Sequence, residues 1–252
     1  VIYGITLYLC PAIMLKAILY YHSSSIMEQL PYHVYIVFAL TLAATLFLFY
    51  KAANKSKGFL LLISIWIILQ SIMGIAGLYT NTNASPPLFP LLIVPPLLFT
   101  VVQFLTKKGR QFIDGMDISF LTLIHIIRIP VEIVLFWLFI HKAVPQLMTF
   151  EGRNFDIISG ITAPVLYYIV FIKRFNNKAL LISWNILGLV LLLNIVIHAL
   201  LSAPLPFQQF AFDQPNRAVL HFPFIFLPCC IVPLILFSHL AALRKLLLKP
   251  SL

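Results

Sequence analysis

Ile118-Ser-Phe-Leu-Thr-Leu-Ile-His125-Ile-Ile-Arg128-Ile-Pro130-Val-Glu132-Ile-Val-Leu-Phe-Trp137-Leu-Phe-Ile140 is an almost unbroken apolar run that carries three titratable side chains. A bilayer core about 30 Å thick is crossed by roughly 20 apolar residues in a helix, and this run is long enough. At 100° per residue His125, Arg128 and Glu132 fall within about a 60° arc of one helical face. Arg128 lies about 15 Å along the helix from its start, near the midplane. A lone charge at that depth costs about 2.5–3.5 kcal/mol even on the lenient insertion scale. Arg128 and Glu132 are therefore expected to face the bundle interior and to be paired. One arrangement pairs them with each other at i,i+4, although Arg before Glu is the poorer order. On that arrangement Glu132→Gln strands Arg128 and destabilises the fold by a few kcal/mol. Pro130 adds a freed acceptor, the carbonyl of Ile126. Two readings stand side by side: a proton or ion relay, or ligand counter-ion; and a buried ion pair that orients helices.

Six further runs of similar character surround this one, at 32–50, 58–79, 87–106, 156–172, 179–202 and 223–243. Another, 1–21, is weaker because it contains Pro11 and Lys16. It has no basic n-region and no small-residue cleavage site before His22, so no cleavable signal peptide is expected. The runs are continuous, whereas barrel strands would alternate over about ten residues. The expected fold is all-α, a polytopic transmembrane helix bundle of seven to eight spans. It forms a single integral membrane domain over 1–252, with a seven-helix core at 32–243 and 1–21 as an extra first helix. No clear internal repeat is present.

Composition agrees. Of 252 residues 62% are hydrophobic and 10% charged, and mean hydropathy is +1.02. Soluble domains carry about 25% charged residues, so a cytosolic enzyme, a disordered regulator and a disulfide scaffold are all excluded. The net charge of +10 is a topology signal and calls for no nucleic-acid partner. Lys51, Lys55 and Lys57, then Lys107, Lys108 and Arg110, then Lys173, Arg174 and Lys178, then Arg244, Lys245 and Lys249 occupy alternate connections. The intervening connections hold Lys142, Arg153 and Arg217 beside Glu28, Glu151, Asp156 and Asp213. The basic set, and the C-terminus with it, is expected on the cytoplasmic side.

Seven prolines fall within the runs: Pro90, Pro95, Pro96, Pro130, Pro164, Pro228 and Pro233. Each removes a backbone donor. A real distortion is expected at Pro90–Pro96, and ordinary kinks at Pro228 and Pro233.

A second constellation lies on the outer side, from His141 through Glu151, Arg153, Asn154 and Asp156. Asn154 reads as a helix N-cap with Asp156 in the first turn, and Glu151 with Arg153 as a loop salt bridge. Asn194, His198 and Ser202 form an i,i+4,i+8 polar stripe rising toward the same side, followed by Asn216, Arg217 and His221. Two candidate sites follow. One is a ligand or ion pathway of His125, Arg128, Glu132, Asn194 and His198. The other is an outer polar pocket of Glu151, Arg153, Asn154, Asp156, Arg217 and His221. Arg153 and Arg217 would suit a small anionic ligand. His141, His198 and His221 are acceptable zinc ligands in type, though no pair has tight ligand spacing. For haem the inner candidates would be His125 and His239. Cys10, Cys229 and Cys230 sit in apolar runs and read as small buried hydrophobes. No HExxH, GxSxG or P-loop occurs, so no catalytic residue and no cofactor is assigned.

Two stretches carry a resemblance. One is Arg128-Ile-Pro130-Val-Glu132 with Met148-Thr-Phe-Glu151-Gly-Arg153-Asn154-Phe-Asp156-Ile and Thr162-Ala-Pro164. The other is Leu201-Ser-Ala-Pro204 after Asn194, with Pro215-Asn216-Arg-Ala-Val219, Phe222-Pro223-Phe and Leu227-Pro228. Together they resemble a family of small bacterial polytopic membrane proteins with no assigned function, over roughly 31–245. The resemblance implies a bacterial inner membrane and no substrate. The leading expectation is binding or transport of a small ligand or ion within the lipid bilayer. The alternatives are a metal or redox enzyme with an outer histidine and carboxylate site, and a structural partner subunit of a membrane complex.

Overall fold

A computed structural model describes residues 27–82, 84, 88–175 and 177–248. The expected first helix at 1–21, with Cys10 inside it, lies outside the described residues. The described residues contain helices and no strands. In chain order they are α1 (Tyr32–Ala52), α2 (Lys57–Ile75), α3 (Pro90–Leu105), α4 (Lys107–Gly115), α5 (Ile118–Ile140), α6 (Ile157–Ile172), α7 (Lys178–Ser202) and α8 (Leu227–Leu248).

Every one of the seven apolar runs from 32 onward is helical. Among the described residues five helices, α1, α2, α5, α7 and α8, are long and apolar enough to cross a membrane. The number is six if α3 and α4, bent by 92° at Thr106, count as one span. α6 is apolar but shorter. For α3 the short length has a local cause. Thr106 is extended and caps α4 by accepting from the Gly109 amide, so α3 stops after 16 residues.

The two ends of the bundle differ chemically. At one end Arg244 on α8 makes two hydrogen bonds of 3.0 Å to the Asp114 carboxylate, and Lys245 donates to the Asp114 carbonyl. The Asp117 amide donates to the Ala52 carbonyl at 2.8 Å, and the Asn54 side chain to that of Gly115. The basic segments after α1, after α3 and at the end of α8 are thus gathered together. At the other end the amides of Arg217 and Ala218 donate to the Ala143 carbonyl, and Asn194 donates to the Arg153 carbonyl.

α8 is the most enclosed span and α5 the next. The prolines act differently from expectation. α3 runs through Pro95 and Pro96 without a break. The distortion falls on α8 instead, where Leu227–Ile231 forms a π turn between Pro228 and Pro233. Pro233 cannot donate to the Cys229 carbonyl four residues back. The Trp66 indole of α2 takes that acceptor at 2.9 Å, so the kink anchors α2 to α8. Cys229 and Cys230 are buried free thiols, as expected.

Candidate functional site

The polar face of α5 points into the bundle, and His125, Arg128 and Glu132 are all buried. α5 tightens into a 3-10 turn over Ile124–Ile127, just ahead of Pro130, and resumes as an α-helix at Arg128. The partner of Arg128 is Asp156. Arg128 Nη1 donates to Asp156 Oδ1 at 2.5 Å. This corrects the i,i+4 pairing with Glu132. The N-terminus of α6 brings a carboxylate of the opposite charge across the interface, a shorter reach than the unfavourable pairing along one helix. Gly160 on α6 permits the approach: a Cβ there would lie 3.2 Å from Arg128 Cβ and 3.1 Å from the Ile129 nitrogen.

Arg128 Nη2 lies 2.9 Å from His239 Nε2 on α8. A guanidinium has donors only, so Nε2 accepts and the ring proton sits on Nδ1. Nδ1 then donates to Asn185 Oδ1 on α7 at 2.8 Å, and Asn185 Nδ2 donates to the Leu181 carbonyl. His239 is thereby a neutral imidazole with both nitrogens used. His125 stacks on it, ring centroids 3.9 Å apart and planes 24° from parallel, and meets Trp184 edge-on at 5.2 Å. The two rings therefore face one another directly, which leaves no space for a haem between them. Both His125 nitrogens are buried without a hydrogen-bond partner.

Asn154 joins Glu132 to this network. Its Nδ2 donates to Glu132 Oε1 and, at 3.0 Å, to the Met148 carbonyl, while its Oδ1 accepts from the Asp156 amide at 3.1 Å. Asn154 is not the N-cap of α6: Asp156 occupies that position, and its carboxylate is spent on Arg128. Glu132 holds Asn154 inward and Arg128 holds Asp156 inward, since an unpaired buried group there costs more than an uncapped helix end.

One oxygen is left over. Glu132 Oε2 is buried and has no partner, and neither does Asn216 Oδ1. Both residues line a cavity of about 130 Å³ in the half of the bundle away from the basic end. The remaining wall is apolar apart from Asn154 and Asp156, built by Ile93 and Leu97 of α3 with Phe89 just before it, by Leu192, Val196 and Leu200 among others on α7, and by Leu227, Val232 and Leu236 among others on α8. Ile93, Leu97, Val196 and Leu200 are half-buried or exposed, so the cavity reaches the outer surface of the bundle between α3 and α7. A larger apolar cavity of about 310 Å³ lies between α2, α3 and α8, lined by Trp66, Pro96, Phe99 and both thiols. None of the unpartnered polar atoms faces it.

The other expected site residues are placed elsewhere. Asn194 is committed to the Arg153 carbonyl, and His198 to the Asn194 carbonyl with its ring stacked on Phe210. Neither lines the cavity, so α7 contributes Asn185 and Gly188 to the network in place of its outer stripe. The outer pocket divides in the same way. Asn154 and Asp156 are buried in the network, Glu151 and Arg153 are exposed and form no ion pair among the described residues, and Arg217 and His221 stay half-buried in the loop before α8. The proposed zinc set also separates. His141, His198 and His221 each turn Nδ1 back to a carbonyl four residues earlier. Among the described residues no three His, Cys, Asp or Glu side chains are gathered as a metal site.

Sequence reading missed Asp156 as the partner of Arg128, and Asn185, Gly188 and His239 as network members. The i,i+3 spacing of Asn185 and Gly188 on one face of α7 was the available signal. His239 stands out only as an inner histidine beside His125, and its place next to Arg128 is supplied by a distant helix.

A family model described as a domain of unknown function (DUF8737) matches residues 86–247, which hold every residue of this network and most of the cavity wall. No curated protein and no solved structure matches the chain.

Proposed function

The chain belongs to the DUF8737 family, and we propose that it is an integral membrane protein that binds, and passes within the bilayer, a small ligand at the cavity beside Glu132. The observation that carries this reading is the free Glu132 Oε2 in an otherwise apolar cavity. Ligand sites are typically apolar concavities with a few placed polar groups, and an ionisable residue within a membrane span is a functional candidate. Arg128, Asp156, Asn154 and His239 hold Glu132 in place; Glu132 and Asn216 present the free acceptors. The buried polar face of α5 is not available as a docking surface, which disfavours the partner-subunit reading. The dispersed outer histidines disfavour the metal-enzyme reading.

The topology that goes with this function has α3 and α6 crossing as short spans. The basic end and the C-terminus face the cytoplasm by the positive-inside rule, and the membrane is a bacterial inner membrane. The cavity then opens in the outer half.

Dicyclohexylcarbodiimide tests the site. It is an uncharged apolar reagent that adds to protonated carboxyl groups it can reach. Intact-mass and peptide analysis of the detergent-purified chain should show one adduct at Glu132, none in Glu132→Gln, and a reduced yield in Ala199→Phe, which fills the cavity. An unmodified Glu132 in the folded wild type would overturn the reading.

A further inference from the structure

We infer that the ligand is a primary ammonium on a compact hydrocarbon body, and that it displaces one proton from Glu132 as it binds. The inference rests on the cavity being the ligand site. It follows from what the wall leaves unspent. Asn216 Nδ2 is committed to the Ala199 carbonyl at 3.1 Å, so the amide oxygen is its free atom. Both hydrogens of Asn154 Nδ2 are used, on Glu132 and Met148. The cavity therefore offers two buried unpartnered acceptors, Glu132 Oε2 and Asn216 Oδ1, beside the Asp156 oxygen that Arg128 leaves open. Arg128 Nε is also unpartnered, but Arg128 does not line the cavity.

An ammonium brings three donors from one point and satisfies both oxygens. An alcohol can only accept from protonated Glu132 and donate to Asn216, so it displaces no proton. A metal ion would ask for four or more N, O or S ligands, and among the described residues no three His, Cys, Asp or Glu side chains gather to supply them. An anion would face two carboxyl groups and no cation on the cavity wall, so the small anionic ligand suggested by Arg153 and Arg217 does not suit this cavity.

Charge gives the second half of the inference. The titratable groups around Glu132 are Arg128 on its own helix and Asp156 at the start of α6, with His125 and His239 behind them. α3, α7 and α8 contribute apolar residues to the cavity wall. Arg128 and Asp156 compensate each other, and His239 is held neutral by its two hydrogen bonds. Glu132 is the second carboxyl against one cation. In a water-poor surrounding it stays neutral by carrying a proton when the cavity is empty and by facing the ligand's ammonium when it is full. The balance is an exchange: R–NH3+ enters with its proton, the Glu132 O–H bond breaks, and one H+ leaves to bulk water with no change of oxidation state. The cavity volume is close to that of the roughly 150 Å³ engineered cavity that holds benzene, which sets the size of the body.

Benzylammonium chloride is the probe, added to the full detergent-purified chain in weak buffer with a pH indicator. One proton should be released per benzylammonium bound, and the apparent Kd should rise about tenfold for each unit the pH is lowered. Glu132→Gln, which has no proton to give up and no charge to set against the ammonium, should lose most benzylammonium binding and release no proton. Asn216→Leu, which leaves the carboxyl intact, should weaken binding severalfold while keeping the one-to-one release. Benzyl alcohol should bind more weakly and release no proton. Binding without proton release, or equal binding of benzyl alcohol, overturns the inference. So does absence of benzylammonium binding in a protein whose Glu132 still reacts with the carbodiimide, and in that case the site itself stands. A Glu132 that does not react removes the site and the inference together.

Discussion

His239 is pressed against the backbone of Gly188, so closely that a Cβ on residue 188 would lie 2.4 Å from Cε1 of the imidazole. α7 and α8 meet at that point because glycine leaves the ring room, and the ring then reaches Arg128 on one side and Asn185 on the other. Gly188→Ala should push His239 out of line and cost about 1–3 kcal/mol by overpacking. Thermal unfolding in detergent measures this. If His239 is the obstacle, the loss in Gly188→Ala/His239→Ala should fall well short of the sum of the two single losses.

Asp156→Asn should be among the most damaging single changes, at about 3–5 kcal/mol, because it leaves the buried guanidinium uncompensated. Arg128→Met with Asp156→Leu should restore most of that stability, since an apolar replacement of a buried pair is often neutral. Glu132→Gln should cost less than about 1.5 kcal/mol, because its amide oxygen still accepts from Asn154. Denaturant titrations of these variants would decide the pairing. A Glu132→Gln loss as large as that of Asp156→Asn would return Glu132 to the role of partner.

Trp66→Phe should strand the Cys229 carbonyl that Pro233 leaves open, at about 1–3 kcal/mol. Adding Pro233→Ala supplies a backbone donor four residues on and should recover part of the loss. No recovery in the double variant would show that the indole acts by packing alone.

His221 lies in the connection before α8. Burial pushes its imidazole below the usual histidine range; the Arg217 carbonyl opposes the shift and the Arg217 charge adds to it. The folded state then takes up a proton less readily than the unfolded one. The stability contributed is complete above about pH 6.5, the ordinary histidine value, and is lost as the pH falls below it. The slope is at most about 1.4 kcal/mol per pH unit for one proton. Melting temperatures of the wild type should therefore drop more steeply from about pH 7 to about pH 5 than those of His221→Gln. Parallel curves would exclude His221 as the source.

The apolar runs determined the helices on their own, because a segment with no polar surface has only an internally bonded backbone open to it in lipid. The same logic made the burial of Arg128 and Glu132 legible, since neither can face hydrocarbon alone. Alternation of Lys and Arg also foretold which connections share an end of the bundle. Where the chain turns was less legible: Thr106 breaks the helix through a local cap that a hydropathy window does not register, and Pro95 and Pro96 leave no break.

What only the tertiary structure decided is who pairs with whom. Asp156, His239, Asn185 and Asn216 come from four separate segments: Asp156 reads locally as a first-turn residue, Asn216 as a loop residue, His239 as an inner haem candidate, and Asn185 is marked only by its spacing from Gly188. Desolvation makes the difference. A side chain's role in a low-dielectric interior is set by the nearest complementary group in space, and helix packing, through Gly160 and Gly188, determines which group that is.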